Sequence, residues 1–361
     1  MIGQPQPEYR IRLGDEDITP RISPRLISLT LTDKRGMEAD ELDLQLDDSD
    51  GALALPTRGV ELQLAIGWAG SALVDKGKFT VDELEHSGAP DVLSIRARSA
   101  DLADGSLTTK KERSWHEQTL GDLVRSIAQE AGLQPVIAPA LDGEHIEHLD
   151  QTNESDAHLL TRLAQRYDAI ATVKAGRLLF APAGASASAS GQPLPVLTIT
   201  RADGDHHRYG LTDRNTYTGV VAYWHDLKTA KRSKVHVGKP KWHRHAVKAG
   251  TDGYRKHLRE TYATKEEAEK AAAAELERLK RGGANLSLTL ALGRPELFPE
   301  VPARTLGWKS EIDDTEWIVK EVRHQIGDGG FTTEVELETK GASGDGSADE
   351  DDAAGSDDAG D

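Results

Sequence analysis

The sequence predicts a β-rich α+β fold, with two β-domains flanking an α/β module and a helical insertion in the second β-domain. Three observations carry this. Apolar residues alternate with period two through the first hundred positions. The pattern then changes to helical spacing near residue 119, and alternation returns after residue 284. Period two buries one face of a strand and wets the other, whereas apolar residues at i, i+3 and i+4 line one side of a helix.

In the first β-domain (1–105), Ile27, Leu29 and Leu31 alternate with Ser28, Thr30 and Thr32. Leu42, Leu44 and Leu46 alternate with Asp43, Gln45 and Asp47. Val60, Leu62, Leu64 and Ile66 follow, then Phe79 and Val81, then Leu93, Ile95 and Ala97. Turn signals at Asp33-Lys34-Arg35-Gly36, Asp50-Gly51 and Ser87-Gly88-Ala89-Pro90 separate the strands. Several short strands at this spacing predict a small barrel or sandwich.

The α/β module (106–182) should hold a helix capped by Thr119, with Leu120, Leu123, Val124, Ile127 and Ala131 on one face and Gly132 as its stop. A second helix is expected over Ser155–Tyr167, followed by strands at Ile170–Val173 and Leu178–Phe180 turned at Ala175-Gly176. Residues 183–192 read as a linker by composition. The second β-domain is expected in two parts. Residues 193–225 hold strand signals at Val196–Thr200 and Thr216–Trp224, and 284–341 hold the rest, with Leu286, Leu288, Leu290, Trp317–Val322, Phe331, Val335 and Leu337. Between them, 226–283 reads as a basic insertion followed by a helix, opened by the capping pair Thr264 and Glu267 and closed by Gly282-Gly283.

Composition excludes several classes of function. Without cysteine there can be no disulfide, thiolate zinc site or cysteine nucleophile. No run approaches the roughly 18–20 apolar residues of a membrane-spanning helix, and the polar Met1–Arg10 stretch has no signal-peptide core, so no membrane anchor is expected. The net charge is −17, of which eight acids and no base fall in 341–361. That tail, rich in Gly, Ser and Ala, is expected to be disordered. The remainder is still acidic, which argues against a general duplex-binding surface.

Segment 228–259 is the exception, with eleven Lys/Arg against one acid, Asp252. Trp242 and Tyr254 interleave with the bases as in a nucleic-acid patch, but Pro240 and the glycines argue against a rigid reading element. The favoured expectation is an exposed insertion that docks on an acidic neighbour. A different arrangement folds the acidic tail back onto it.

No catalytic, cofactor-binding or metal residue is assigned. His206-His207, the His243/His245 pair, and His145, His148 and His158 match no zinc spacing and are expected at the surface. Asp47-Asp48-Ser49-Asp50-Gly51 resembles half of a calcium loop without its downstream glutamate. The many carboxylates mostly alternate with apolar residues, so they lie on wet sheet faces rather than in a paired acid/base arrangement.

Seven segments, in order, resemble the phage late control gene D protein family: ISLTLTDKRG (27–36), ADELDLQLDDSDG (39–51), GKFTVD (77–82), GAPDVLSIRARSAD (88–101), SWHEQTLGDL (114–123), HLDQTNESDAHLLTRL (148–163) and GGFTTEVEL (329–337). Together they span about residue 9 to residue 340, while 226–258 matches poorly. The resemblance implies the structural hub of a contractile tail baseplate, similar to the N-terminal hub region of VgrG-type spikes and not an enzyme. It also implies that each β-domain is a small antiparallel barrel, and that three chains form a homotrimer with six barrels in a ring. The partners it implies are a central spike protein, the tail tube or tube-initiator protein, baseplate wedge proteins and the tape measure protein. DNA would pass the lumen without stable binding. Such a protein is assembled in the host cytoplasm and ends in the virion. Alternatives are the hub of a headless tailocin, a cell-wall-degrading tail enzyme, and a DNA-binding regulator.

Overall fold

The computed structural model describes residues 5–100, 105–211, 217, 219–226, 231–238 and 255–340. The expected disordered tail (341–361) and the His243/His245 pair therefore lie outside the described residues, as does the centre of the basic segment.

Strands dominate, and most belong to one large sheet. The first part comprises β1 (Pro7–Leu13), β2 (Glu16–Asp17), β3 (Leu26–Asp33), β4 (Glu41–Asp47), β5 (Glu61–Trp68), β6 (Val74–Ser87) and β7 (Val92–Ser99). The α/β module follows with β8 (Lys110–Thr119), α1 (Leu120–Glu130), β9 (Gln134–Ile137), β10 (His145–Ser155), α2 (Asp156–Arg166), β11 (Ala169–Lys174) and β12 (Arg177–Pro182). The last part holds β13 (Leu197–Thr200), β14 (Gly204–Leu211), β15 (Gly219–Asp226), β16 (Lys231–Val237), β17 (Arg255–Tyr262), α3 (Lys265–Arg281), β18 (Ala284–Leu290), β19 (Pro302–Leu306), β20 (Trp317–Gly327) and β21 (Gly330–Thr339).

The sheet runs β14-β18-β21-β20-β3-β4-β7-β6-β5-β1-β2, with β19 also joined to β20 and β13 to β19. Sequence pattern suggested two separate β-domains, each a barrel by resemblance. Here they share one ladder. β20 pairs antiparallel with β3 from Val322↔Asp33 to Gly327↔Ser28, so the two halves are continuous through hydrogen bonds. Among the described residues the sheet stays open, with β14 at one end and β1 and β2 at the other. Local alternation specifies which face of a strand is buried, but not which distant strand it pairs with.

Two cores form on this sheet. One gathers Leu29, Leu31, Leu42, Leu44, Leu64 and Phe79, and the other Leu286, Leu288, Trp317, Val319, Val335 and Leu337. The β20–β21 hairpin serves both: Trp317, Val319 and Val322 lie in the second, while Ile326 and Phe331 lie in the first. Trp68 stacks on Phe331 at 5.1 Å between ring centroids and donates its Nε1–H to the Gly293 carbonyl at 2.9 Å. A Cβ at Gly293 would overlap the Phe331 ring, so this close approach needs glycine.

The module between them has its own core around Leu120, Leu123, Ile127, Leu160, Leu163 and Phe180. Thr119 caps α1 by accepting from the Asp122 N–H at 3.0 Å, and Ser155 caps α2 by accepting from His158 N–H at 3.2 Å. Gly132, at φ +68°, supplies the left-handed residue that ends α1. The strands over 169–182 turn at Ala175-Gly176.

Two regions differ from expectation. The stretch expected as part of the second β-domain near Thr216–Trp224 contributes β15, which leaves the large sheet and forms a separate three-stranded sheet in the order β16-β15-β17. The described parts of the basic segment thus form strands. Their apolar side (Val220, Ala222, Val235, Tyr262) packs on Ala268, Ala271 and Ala272 of α3. The second difference is the long β8–β10 ribbon, whose strands carry few apolar residues.

Candidate assembly interface

A polar groove of about 400 Å³ crosses the wet face of the joined sheet, lined by Asp43, Gln45, Glu83, Arg96, Arg323 and Gln325 among others. It draws on β4, β6, β7, β3 and β20, so it spans the seam between the two β-regions. These are the positions opposite the buried leucines, which is why alternation placed their carboxylates in water. Arg96 bridges two of them, with Nε 2.9 Å from Asp43 Oδ1 and Nη1 2.6 Å from Glu83 Oε2. Those hydrogen bonds raise the Arg96 pKa above its ordinary value. Both carboxylates face a guanidinium, an arrangement unlike an acid/base pair poised around a bond.

Apart from this groove, a partly buried set of ion pairs joins separate parts of the chain. Lys174 of β11 places Nζ 2.7 Å from Asp33 Oδ1 and also pairs with Asp40. Burial, reinforced by the neighbouring Asp33 charge, pushes Asp40 up to about 6, while Lys174 is raised by the two carboxylates it contacts. Arg35 holds Glu300 at 2.7 Å and also contacts Glu338. Glu300 Oε2 accepts from the Gly184 N–H at 2.9 Å, and burial raises its pKa. Arg281, at the end of α3, pairs with Asp168. The module and both β-regions are therefore joined by ion pairs, and the expected linker by the Gly184 hydrogen bond.

The histidines singled out in the sequence do not converge. His206 and His207 lie exposed on β14, and His158 rests 2.8 Å from Glu154. His148 meets His116 across the β8–β10 ribbon, Nδ1 to Nδ1 at 3.0 Å, with Asp150 on its other nitrogen. Among the described residues, no group of three or more His, Asp or Glu could hold a metal. The calcium-like turn has its oxygens engaged. Asp50 binds Arg25 through both oxygens, at 2.7 and 2.6 Å, which lowers its pKa to about 2; Asp48 accepts from Leu53 N–H at 2.9 Å.

His324 was not apparent in the sequence. It is fully buried, shares a 2.9 Å hydrogen bond with Thr333 and is depressed to about 3 by burial and by Lys76. Its position on the buried side of β20, between Val322 and Ile326, is the signal that could have found it.

Surfaces suited to further chains lie at sheet edges. Among the described residues β14 pairs with β18 alone, and its terminal Leu211 is 73% exposed. Among the described residues β13 pairs with β19 alone and follows exposed Val196, while Leu292 and Phe298, ahead of β19 in sequence, are exposed. Unpaired strand edges and exposed apolar side chains are what neighbouring subunits cover.

The model of the phage tail baseplate hub (GPD) family matches residues 38–330. The chain belongs to this family. It is 46% identical to the probable baseplate hub protein of Escherichia phage 186 over 92% of this chain and 93% of that protein. The corresponding protein of Escherichia phage P2 is 45% identical with the same coverage. Among solved structures, a tail protein from Neisseria meningitidis MC58 aligns at a TM-score of 0.68 with 14% identity, covering 92% of this chain and 96% of that one. An E. coli component of the type VI secretion system, described as structurally similar to T4 bacteriophage tail proteins, aligns at 0.53 with 13% identity over 87% and 73%. At such low identity these two show a shared fold. The resemblance to late control gene D proteins and to VgrG-type folds is thereby shown.

Proposed function

We propose that this baseplate hub family member acts as a trimeric ring that seats a central spike and receives the tail tube. The observation carrying this reading is the pairing of two β-regions in each chain through one uninterrupted ladder. Three such chains would present six β-regions around an axis, a natural adaptor between threefold and sixfold partners. In this reading residues 1–105 form one ring segment and 193–211 with 284–341 the other. The 106–182 module and the β15–β16–β17 sheet stand outside them. Wedge proteins and the tape measure protein would meet the outer and upper surfaces, and the acidic body would let DNA slide through without adhering. The role is mechanical, with no catalytic residue, and is exercised in the virion after assembly in the host cytoplasm.

The test is coexpression with the adjacent spike gene and mass measurement of the purified complex. A 3:3 assembly is expected. A stable monomer that ignores the spike would overturn the ring. Whether the particle carries a capsid or is a tailocin is decided by capsid and terminase genes beside this one.

A further inference from the structure

The three-stranded sheet has one face on α3 and a second face of unusual charge. Alternation fixes which side chains lie on each. Val220, Ala222 and Val235 point to α3, and Lys256 also turns that way to reach Glu275 at 2.5 Å. The opposite face therefore carries Tyr223, His225, Arg232, Lys234, His236, Arg255, His257 and Arg259 around a buried Val221, with no acid among these positions. The face is organised: Arg232 stacks 3.8 Å over the Tyr223 ring, whose hydroxyl meets His257 Nδ1 at 2.8 Å, and Arg255 lies 3.2 Å from His236 Nδ1. Arg232, Lys234, His257 and Arg259 are exposed. On a chain of net charge −17, four cations and three histidines on one sheet face form a strongly positive island.

The chain also carries its complement. Residues 341–361 hold eight acids and no base. Thr339, just before this segment in sequence, donates its hydroxyl to the Lys280 and Arg281 carbonyls, at the end of the helix on which the sheet packs. A 21-residue segment reaches about 70 Å when extended and has a root-mean-square span of about 25 Å as a coil. That exceeds the path around a single sheet-and-helix layer, whose sheets and helices lie about 10 Å apart. Tethering to one end of the layer also gives the tail a high effective concentration at the other face.

We propose that the acidic tail, residues 341–361, docks on the basic face of the β15–β16–β17 sheet and shields it from other polyanions. The contact is electrostatic, so it weakens as salt shortens the range of charge. A basic face left open in a cell would collect nucleic acid through counterion release. A tethered polyanion competes with that binding without requiring a fixed tail conformation. The contact does not depend on the trimeric ring.

The test compares four full-fold proteins on immobilised heparin under a salt gradient. They are the intact chain, a chain ending at Lys340, the same truncation carrying R232E and K234E, and a chain whose tail is replaced by a neutral Gly/Ser tail of equal length. The truncated and neutral-tailed chains should elute at clearly higher salt than the intact chain, and the double reversal should cancel most of that gain. Adding the free tail peptide should bring the truncated chain back toward earlier elution. Zero-length carbodiimide coupling of the intact chain should join tail carboxylates to Lys234, the lysine of this face. Unchanged elution on truncation would overturn the proposal. So would a gain that survives R232E/K234E, because it would then reflect net charge alone. Tail crosslinks only to other lysines, or only between chains, would likewise overturn it.

Discussion

Lys174 extends from the α/β module into a pocket already holding Asp33 and Asp40. Removing one partner of a buried pair costs about 3–5 kcal/mol. A third of this lysine side chain is exposed, so about 2 kcal/mol is expected after solvent screening. Lys174→Met should lower the urea midpoint more at pH 8 than at pH 5. Asp40 is raised to about 6, so at pH 5 its protonated form removes much of the repulsion that the lysine otherwise offsets. Equal losses at both pH values would refute this account. His324 has the opposite sign. Its folded pKa is depressed to about 3, so its contribution is present above about 6.5 and is lost as pH falls toward 3. The slope approaches about 1.4 kcal/mol per pH unit in that window. His324→Gln, which can keep the Thr333 hydrogen bond, should flatten acid unfolding below pH 6.5, read as denaturant midpoint against pH.

At the scale of elements, α3 joins the basic sheet through alanines, and that core is the smallest of the four. Its cap matters accordingly. Thr264 accepts from the Glu267 N–H at 3.2 Å, and Thr264→Ala should cost about 1 kcal/mol. We expect hydrogen exchange to speed up across α3 and β15–β17, while β3 and β20 amides stay protected. Acceleration everywhere would show that the element does not open alone. Elements were legible where packing imposes a period. β3, β4, β5, β18 and β21, together with all three long helices, followed from spacing, and the caps of α1 and α3 from residue type. β8 and β10 were not legible, because they are held by polar pairs: Arg113 stacks 4.4 Å over Trp115 and donates to Gln151, and Ser114 pairs with Asp150. β16 was hidden for a related reason, since its inward valines stand among lysines and arginines that dominate its composition. The polar groove was visible only as wet alternating carboxylates. Its span across β20 and β3 depended on a pairing some 300 residues apart in the chain.

For the whole molecule, the hairpin that serves two cores predicts how the fold comes apart. Loss of Trp317 packing at one end disturbs the strand that carries Ile326 into the other core. The first and last β-regions should therefore melt in a single calorimetric transition, preceded at most by the basic sheet. Two well-separated transitions assigned to 7–99 and 284–339 would contradict this. The same continuity has a mechanical side. Where domains hang from a linker, tension between them first straightens the linker. Here the two regions are stitched edge to edge by the β3–β20 ladder, while Arg35 clamps Glu300 beside it. A load that slides β3 along β20 must shear that row of hydrogen bonds together, whereas a load that peels the strands apart meets them one at a time. The protein should thus be stiff along its strands and weaker across them, a grain set by a single strand pairing.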